Sequence, residues 1–211
     1  MSCTSSVLWS WEQCRDRLRN LRGRLGFHEK YALEFLGLSV DLADGSVMDM
    51  LTGENIYGND SWSRFVTQAI YFVLSGYSES EHHEVTGRLV TSKQFSGALF
   101  GDLDNSRTRQ RIVEEFSDDL SALKMCAERL GGREIEFAYG DIAMKLEALP
   151  LIPITIVLSV EDEEFQADAR IFYDETIQKY LDAERTNFLT ILTVGRLTAA
   201  RTQTSKMNIG N

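Results

Sequence analysis

Residues 149–160 read Leu149-Pro150-Leu151-Ile152-Pro153-Ile154-Thr155-Ile156-Val157-Leu158-Ser159-Val160. From Ile154 to Val160 both alternating faces are apolar, which predicts a strand at the centre of a sheet, covered on each side. Pro150 and Pro153 are the only prolines in the chain. Each drives its predecessor into an extended conformation, so the segment enters the sheet already straightened.

Working upstream, Ile135, Phe137 and Tyr139 alternate with Glu134, Glu136 and Ala138, a half-buried strand pattern. Ile142, Met144, Leu146 and Ala148 alternate with Ala143, Lys145 and Glu147, which fits a second strand or a short helix. The two-residue period recurs at Tyr31, Leu33 and Phe35 and at Leu38, Val40 and Leu42. Asp44-Gly45 then supplies a hairpin turn, and Val47 to Leu51 is the return strand. This is local antiparallel pairing rather than a strand–helix–strand unit.

Helical spacing occupies the rest. Val7, Trp11, Cys14, Leu18, Leu21 and Leu25 form one stripe, predicting an amphipathic helix over residues 7–25 whose other faces carry five arginines. Ser61 is placed to cap an apolar helix that Gly76 ends. Residues 85–101 read as a short strand and an irregular segment, with Phe95, Leu99 and Phe100 reaching the core. Ile112, Phe116, Leu120, Leu123, Ala127 and Leu130 predict one long helix over 106–130. Asp174 is placed to cap a helix through Leu181, and Asp182 another through Leu197. Residues 198–211 hold little to bury and are expected to form a disordered tail. The expected fold class is α+β. It is a single domain over residues 1–197, with a mostly antiparallel sheet from 31–57 and 133–172 packed on helices 62–75, 106–130 and 175–197.

The 211-residue chain carries a formal net charge of −10. That argues against nucleic acid or an anionic membrane as partner, since both need a positive surface. The arginines of 7–25 are accordingly expected to meet the acidic remainder of the same protein. Three cysteines, with no Cys-x-x-Cys pair, exclude an iron–sulfur cluster or a zinc knuckle built by this chain alone. Residues 1–10 lack a signal-peptide pattern and no apolar run reaches about 18 residues, so a cytoplasmic location is expected, with reduced thiols and no membrane partner.

Chemistry points to residues 140–184. Glu161, Asp162, Glu163 and Glu164 directly follow the buried strand, with Phe165 next. If the strands bring Asp141, Asp162, Glu164 and Asp174 together, the carboxylates suit a hard divalent cation or a pair of unequal acids. Phe165 joins them as a ligand-contacting residue. The competing assignments are a turn at Asp162, a helix cap at Asp174 and solvated glutamates between them. Neighbouring His82 and His83 point apart on any regular element and are poor co-ligands. No Gly-x-Ser-x-Gly, cysteine–histidine pair or phosphate loop is present.

Gly140-Asp141, Leu149-Pro150-x-x-Pro153, Asp162-Glu163-Glu164-Phe165, Ile171-Phe172-Tyr173-Asp174, then Tyr180-Leu181 and Glu184 resemble the family catalogued as domain of unknown function 3786. Phe35-Leu36-Gly37, Asp41 and Tyr71-Phe72-Val73-Leu74 resemble its front half. The resemblance spans about residues 28–195 and implies a cytoplasmic protein of anaerobic bacteria or archaea, with no established activity. It also implies a link to corrinoid, tetrapyrrole or one-carbon metabolism. Gln166 departs from a common proline, and Tyr173 interrupts what is usually Leu-Phe-Asp. The cysteine-rich iron–sulfur segment of some relatives is missing, which removes a direct electron-transfer role.

Three functions follow as expectations. The first is an accessory protein binding a small molecule, a cofactor such as a corrinoid or tetrapyrrole, or a protein partner. That partner, or a second copy, would meet Val7, Trp11, Leu18, Leu21 and Leu25. The second is a divalent-metal-dependent enzyme using the acidic cluster. The third is a homo-oligomeric structural module.

Overall fold

The computed structural model describes residues 9–56, 60–95 and 101–209. Val7, Leu99 and Phe100 lie outside them. The fold is α+β, with two antiparallel sheets where the sequence pattern suggested one. The first is a four-stranded meander: β1 (Ala32–Phe35), β2 (Leu38–Asp41), β3 (Val47–Asp49) and β4 (Glu54–Asn55), in that spatial order. The second has five strands: β5 (Leu89–Val90), β6 (Arg133–Glu134), β7 (Ile142–Leu149), β8 (Ile152–Ser159) and β9 (Asp168–Asp174). Their spatial order is β5-β9-β8-β7-β6, so the strand that opened the sequence analysis is central. Every residue of β8 from Ile152 to Leu158 is buried. The Ile142 segment is a strand throughout, registered with Ile142 opposite Leu158 and Leu146 opposite Ile154.

Residues 135–141 do not extend β6 as a strand. They cross the outer face of the second sheet, where Phe137 and Tyr139 stack on Phe172 at 5.3 and 6.2 Å. Val157 and Thr155 of the central strand are buried as well.

The helices are α1 (Trp11–Arg19), α2 (Ser61–Ser78), α3 (Gly101–Phe116), α4 (Leu120–Arg129), α5 (Ile177–Tyr180) and α6 (Ala183–Ile209). α1 packs on α2, and α6 packs on α2, α3 and α4. The first helix is shorter than its stripe, yet Cys14, Leu18, Leu21 and Leu25 are all buried in the chain's own core. They are therefore not a free surface for a partner; Trp11, the remaining described member, is half-buried. The arginines do meet their own chain. Arg19 donates to the carbonyls of Leu42 (2.8 Å) and Ala43 (3.0 Å), Arg17 pairs with Glu79, and Arg22 lies over Tyr31.

Four boundaries differ from the sequence pattern, each for a local reason. The long helix expected at 106–130 is two, because Asp119 accepts a hydrogen bond from Ala122 N at 3.0 Å and starts a new helix. α2 is capped by Asp60, whose carboxylate accepts from Ser63 N at 2.9 Å, rather than by Ser61. α2 also runs past Gly76. A Cβ there would lie 2.2 Å from Arg185 Cδ, so the glycine admits the arginine stem rather than ending the helix. Finally, α6 continues through Ile209, where a disordered tail was expected. Ala200 is fully buried, and Arg129 Nη1 donates to Thr204 Oγ1 at 2.9 Å, which ties this turn down. Asp182 does cap α6, accepting from Arg185 N at 2.8 Å. No helix among the described residues is long and apolar enough to cross a membrane.

Candidate functional site

The acidic residues singled out in the sequence divide between the two ends of the second sheet. Asp141 lies at the start of β7. Its N–H donates to Leu158 O (2.9 Å) and its carboxylate accepts from Val160 N (2.8 Å), closing the β7–β8 ladder. Asp162 follows β8 and accepts from Glu164 N (2.8 Å) and Phe165 N (2.7 Å), which builds a turn. Those backbone donors hold its carboxyl below the usual range. Glu164 is exposed, and Phe165 is 69% exposed. Asp174, by contrast, ends β9, six residues beyond Asp168. At about 3.4 Å per residue it stands roughly 20 Å from the end shared by Asp141 and Asp162. The four carboxylates therefore do not converge. Among the described residues no three His, Cys, Asp or Glu side chains are grouped to hold a metal ion.

Asp174 has a different task. It is 1% exposed and accepts from Gly87 N (2.6 Å), Thr86 N (3.3 Å), Thr176 N (3.0 Å) and Thr176 Oγ1 (2.6 Å), with Thr86 Oγ1 at 3.2 Å. Burial pushes its carboxyl up, but the Thr176, Thr86 and Gly87 donors outweigh burial and the value is lowered. This carboxylate stitches the loop before β5 onto the end of β9. Glu175 N adds a bond to Arg88 O at 2.9 Å. The neighbouring His83 is held through its backbone: its N–H donates to Tyr180 Oη, which donates to His83 O, both at 2.7 Å. Its ring meets Tyr180 edge-on at 5.5 Å.

The stitched loop leads through β5 to one wall of a cleft. After β5 the chain passes through Thr91 into a single 3-10 turn (Ser92–Gln94), closed by Thr91 N donating to Gln94 Oε1 at 2.8 Å. Opposite stand Asp168, Arg170 and Ile171 of β9, and Arg109 of α3 completes the cleft, whose volume is about 310 Å³. Arg170 is held in place. Its Nε lies 3.3 Å from Asp168 Oδ2 and its guanidinium sits 5.1 Å above the Tyr139 ring. Lys93, Arg109 and Arg170 thus line the cleft together with Thr91, Ser92 and the single carboxylate of Asp168, on a chain whose net charge is −10. Guanidinium forks and hydroxyls in a recess recognise carboxylate or phosphate oxygens.

Sequence pattern alone missed this cleft, because its members come from three distant segments. The one readable sign was the alternation of β9, where Asp168, Arg170 and Phe172 face outward while Ala169, Ile171 and Tyr173 face the core.

Residues 24–196 match the model of a family described as Domain of unknown function (DUF3786). No curated protein and no solved structure matches the chain.

Proposed function

The chain belongs to the family described as domain of unknown function 3786, and from that premise we propose that it is a binding protein for a small anionic ligand, held in the cleft between β9, α3 and the Thr91–Lys93 turn. One observation carries this: Lys93, Arg109 and Arg170 line one recess of a chain whose net charge is −10. The family resemblance supports an accessory role in the cytoplasm of an anaerobe. The recess is near the lower bound for small-molecule sites. A corrin or tetrapyrrole would meet it through a carboxylate side chain rather than by enclosure of the ring. The divalent-metal reading of Asp141, Asp162, Glu164 and Asp174 draws no support from the geometry, since Asp174 occupies the opposite end of the sheet.

Calorimetric titration with inorganic phosphate and with citrate tests the proposal. Saturable binding is expected, weakened at least about tenfold by Arg170→Gln or Arg109→Gln, since a hydrogen bond to a charged group contributes about 1.5–3 kcal/mol. Binding that is absent, or unchanged in both variants, would overturn it.

A further inference from the structure

A second cleft lies on the other flank of α3. Arg107 and Arg111 are four residues apart and share a helix face, whereas Arg109 is turned about 200° from Arg107. Phe65 of α2, Ile191, Val194 and Gly195 of α6 and Thr108 complete the lining, around about 390 Å³. The two arginines are exposed, while Val194 is buried and Phe65 and Ile191 are half-buried. The Phe65 ring is fixed against Phe188 at 5.8 Å, and Arg111 Nε donates to Thr198 Oγ1 at 3.3 Å. The recess is thus apolar at its base and cationic at its rim.

Gly195 gives the recess its depth. It lies inside α6, where glycine is less stable than alanine. At Gly76, the other helix-interior glycine discussed above, Arg185 occupies the space of the missing Cβ. At Gly195, its chain neighbours and its own helix backbone aside, no atom of the described residues comes within 4 Å of that position. Packing among those residues therefore does not require the glycine, and the position stands open on the recess.

We infer that this cleft binds an amphipathic anion, an alkyl chain ending in a carboxylate, with the chain laid over Gly195 between Phe65, Ile191 and Val194 and the head group at Arg107 and Arg111. The ligand class differs from that of the β9 cleft in needing a tail, and the two sites share no residue.

The test is a titration with sodium decanoate below its micelle concentration, read by amide NMR shifts and by melting temperature. Sodium acetate and 1-nonanol serve as head-only and tail-only controls. Decanoate is expected to saturate and to bind at least tenfold more tightly than either control. Arg107→Gln combined with Arg111→Gln lowers its affinity about tenfold, and Gly195→Leu abolishes it. Arg170→Gln leaves it unchanged, which separates this site from the β9 cleft. Gly195→Ala keeps the fold and raises the melting temperature, because the helix gains a better former and nothing is displaced. Three results would overturn the inference: acetate binding as tightly as decanoate, decanoate failing to saturate, or Gly195→Ala lowering the melting temperature.

Discussion

Arg196 of α6 and Asp49 of β3 form a two-pronged ion pair, with Nη1 2.9 Å from Oδ2 and Nη2 2.5 Å from Oδ1. The same guanidinium donates to Leu36 O (3.0 Å) and Gly37 O (3.2 Å), the turn between β1 and β2. Arg196 is only 7% exposed, so one buried side chain fastens the last helix to the first sheet. Removing one partner of a buried pair costs about 3–5 kcal/mol, because the other charge is left without compensation. Arg196→Met is expected to fall in that range in urea denaturation. Combining it with Asp49→Leu should recover part of the loss; additive losses would show that the two residues act independently.

Acid should unfasten the same contact. Burial pushes the Asp49 carboxyl up, but the Arg196 hydrogen bonds and charge bring it below its ordinary 3.8. Asp174 is likewise lowered from 3.8 by its donors. The stability that each contributes is complete above pH 3.8 and is lost as the pH falls from there toward the folded-state value. Melting temperatures measured from pH 7 down to pH 2 should drop along an acid limb. That limb should be shallower in Asp49→Asn and in Asp174→Asn, and equal slopes in all three proteins would contradict this assignment.

Asp174 also links stability to binding. Truncation to alanine releases the exposed Thr86 and Gly87 N–H groups to solvent and strands the buried Thr176 donors, at about 1–3 kcal/mol for an unsatisfied group. The Thr86 and Gly87 loop, which leads through β5 to Thr91 and Lys93, loses its anchor at the same time. Asp174→Ala should therefore lower the melting temperature and weaken phosphate binding, although Asp174 does not line the cleft. Weakened stability with unaltered binding would separate the two roles.

At Gly76 the steric prediction is direct. Alanine there meets the Arg185 stem, whose Nε donates to Phe72 O at 3.2 Å, and overpacking of this kind costs about 1–3 kcal/mol. In an Arg185→Ala background the cost should largely vanish. A double-mutant cycle by thermal unfolding measures the coupling.

Magnesium or manganese is expected to leave the melting curve unmoved. Asp162→Asn should leave the melting temperature essentially unchanged, since an asparagine oxygen can still accept from Glu164 N and Phe165 N. A metal-dependent stabilisation that Asp162→Asn removes would restore the metal-enzyme reading.

Residues with one local determinant were legible in the sequence. The apolar run at 154–160 announced a central strand, and Asp44-Gly45 a hairpin, because period and turn chemistry act within a few residues. The caps at Asp60 and Asp119 were not legible: Asp60 stands next to Ser61, an equally good cap, and the apolar spacing runs unbroken across Asp119. The grouping of Asp141, Asp162 and Asp174 failed for a topological reason: β8 and β9 run antiparallel, so residues just past the end of one and at the end of the next lie at opposite edges. The clefts were invisible for the same kind of reason. Arg109, Arg170 and Lys93 are joined only by the folded chain.

The fastening of α6 onto β3 also sets an order of events during synthesis. Asp49 and the Leu36 and Gly37 carbonyls leave the ribosome 147 residues or more before Arg196. At about 5–20 residues per second, that wait lasts roughly 7–30 seconds. Throughout it the first meander has its turn carbonyls and one carboxylate without their cation, and α2 lacks the helix that covers it. The front half of this protein must therefore persist for seconds as an unclosed, partly apolar surface, and a ribosome-associated chaperone would find its longest opportunity there.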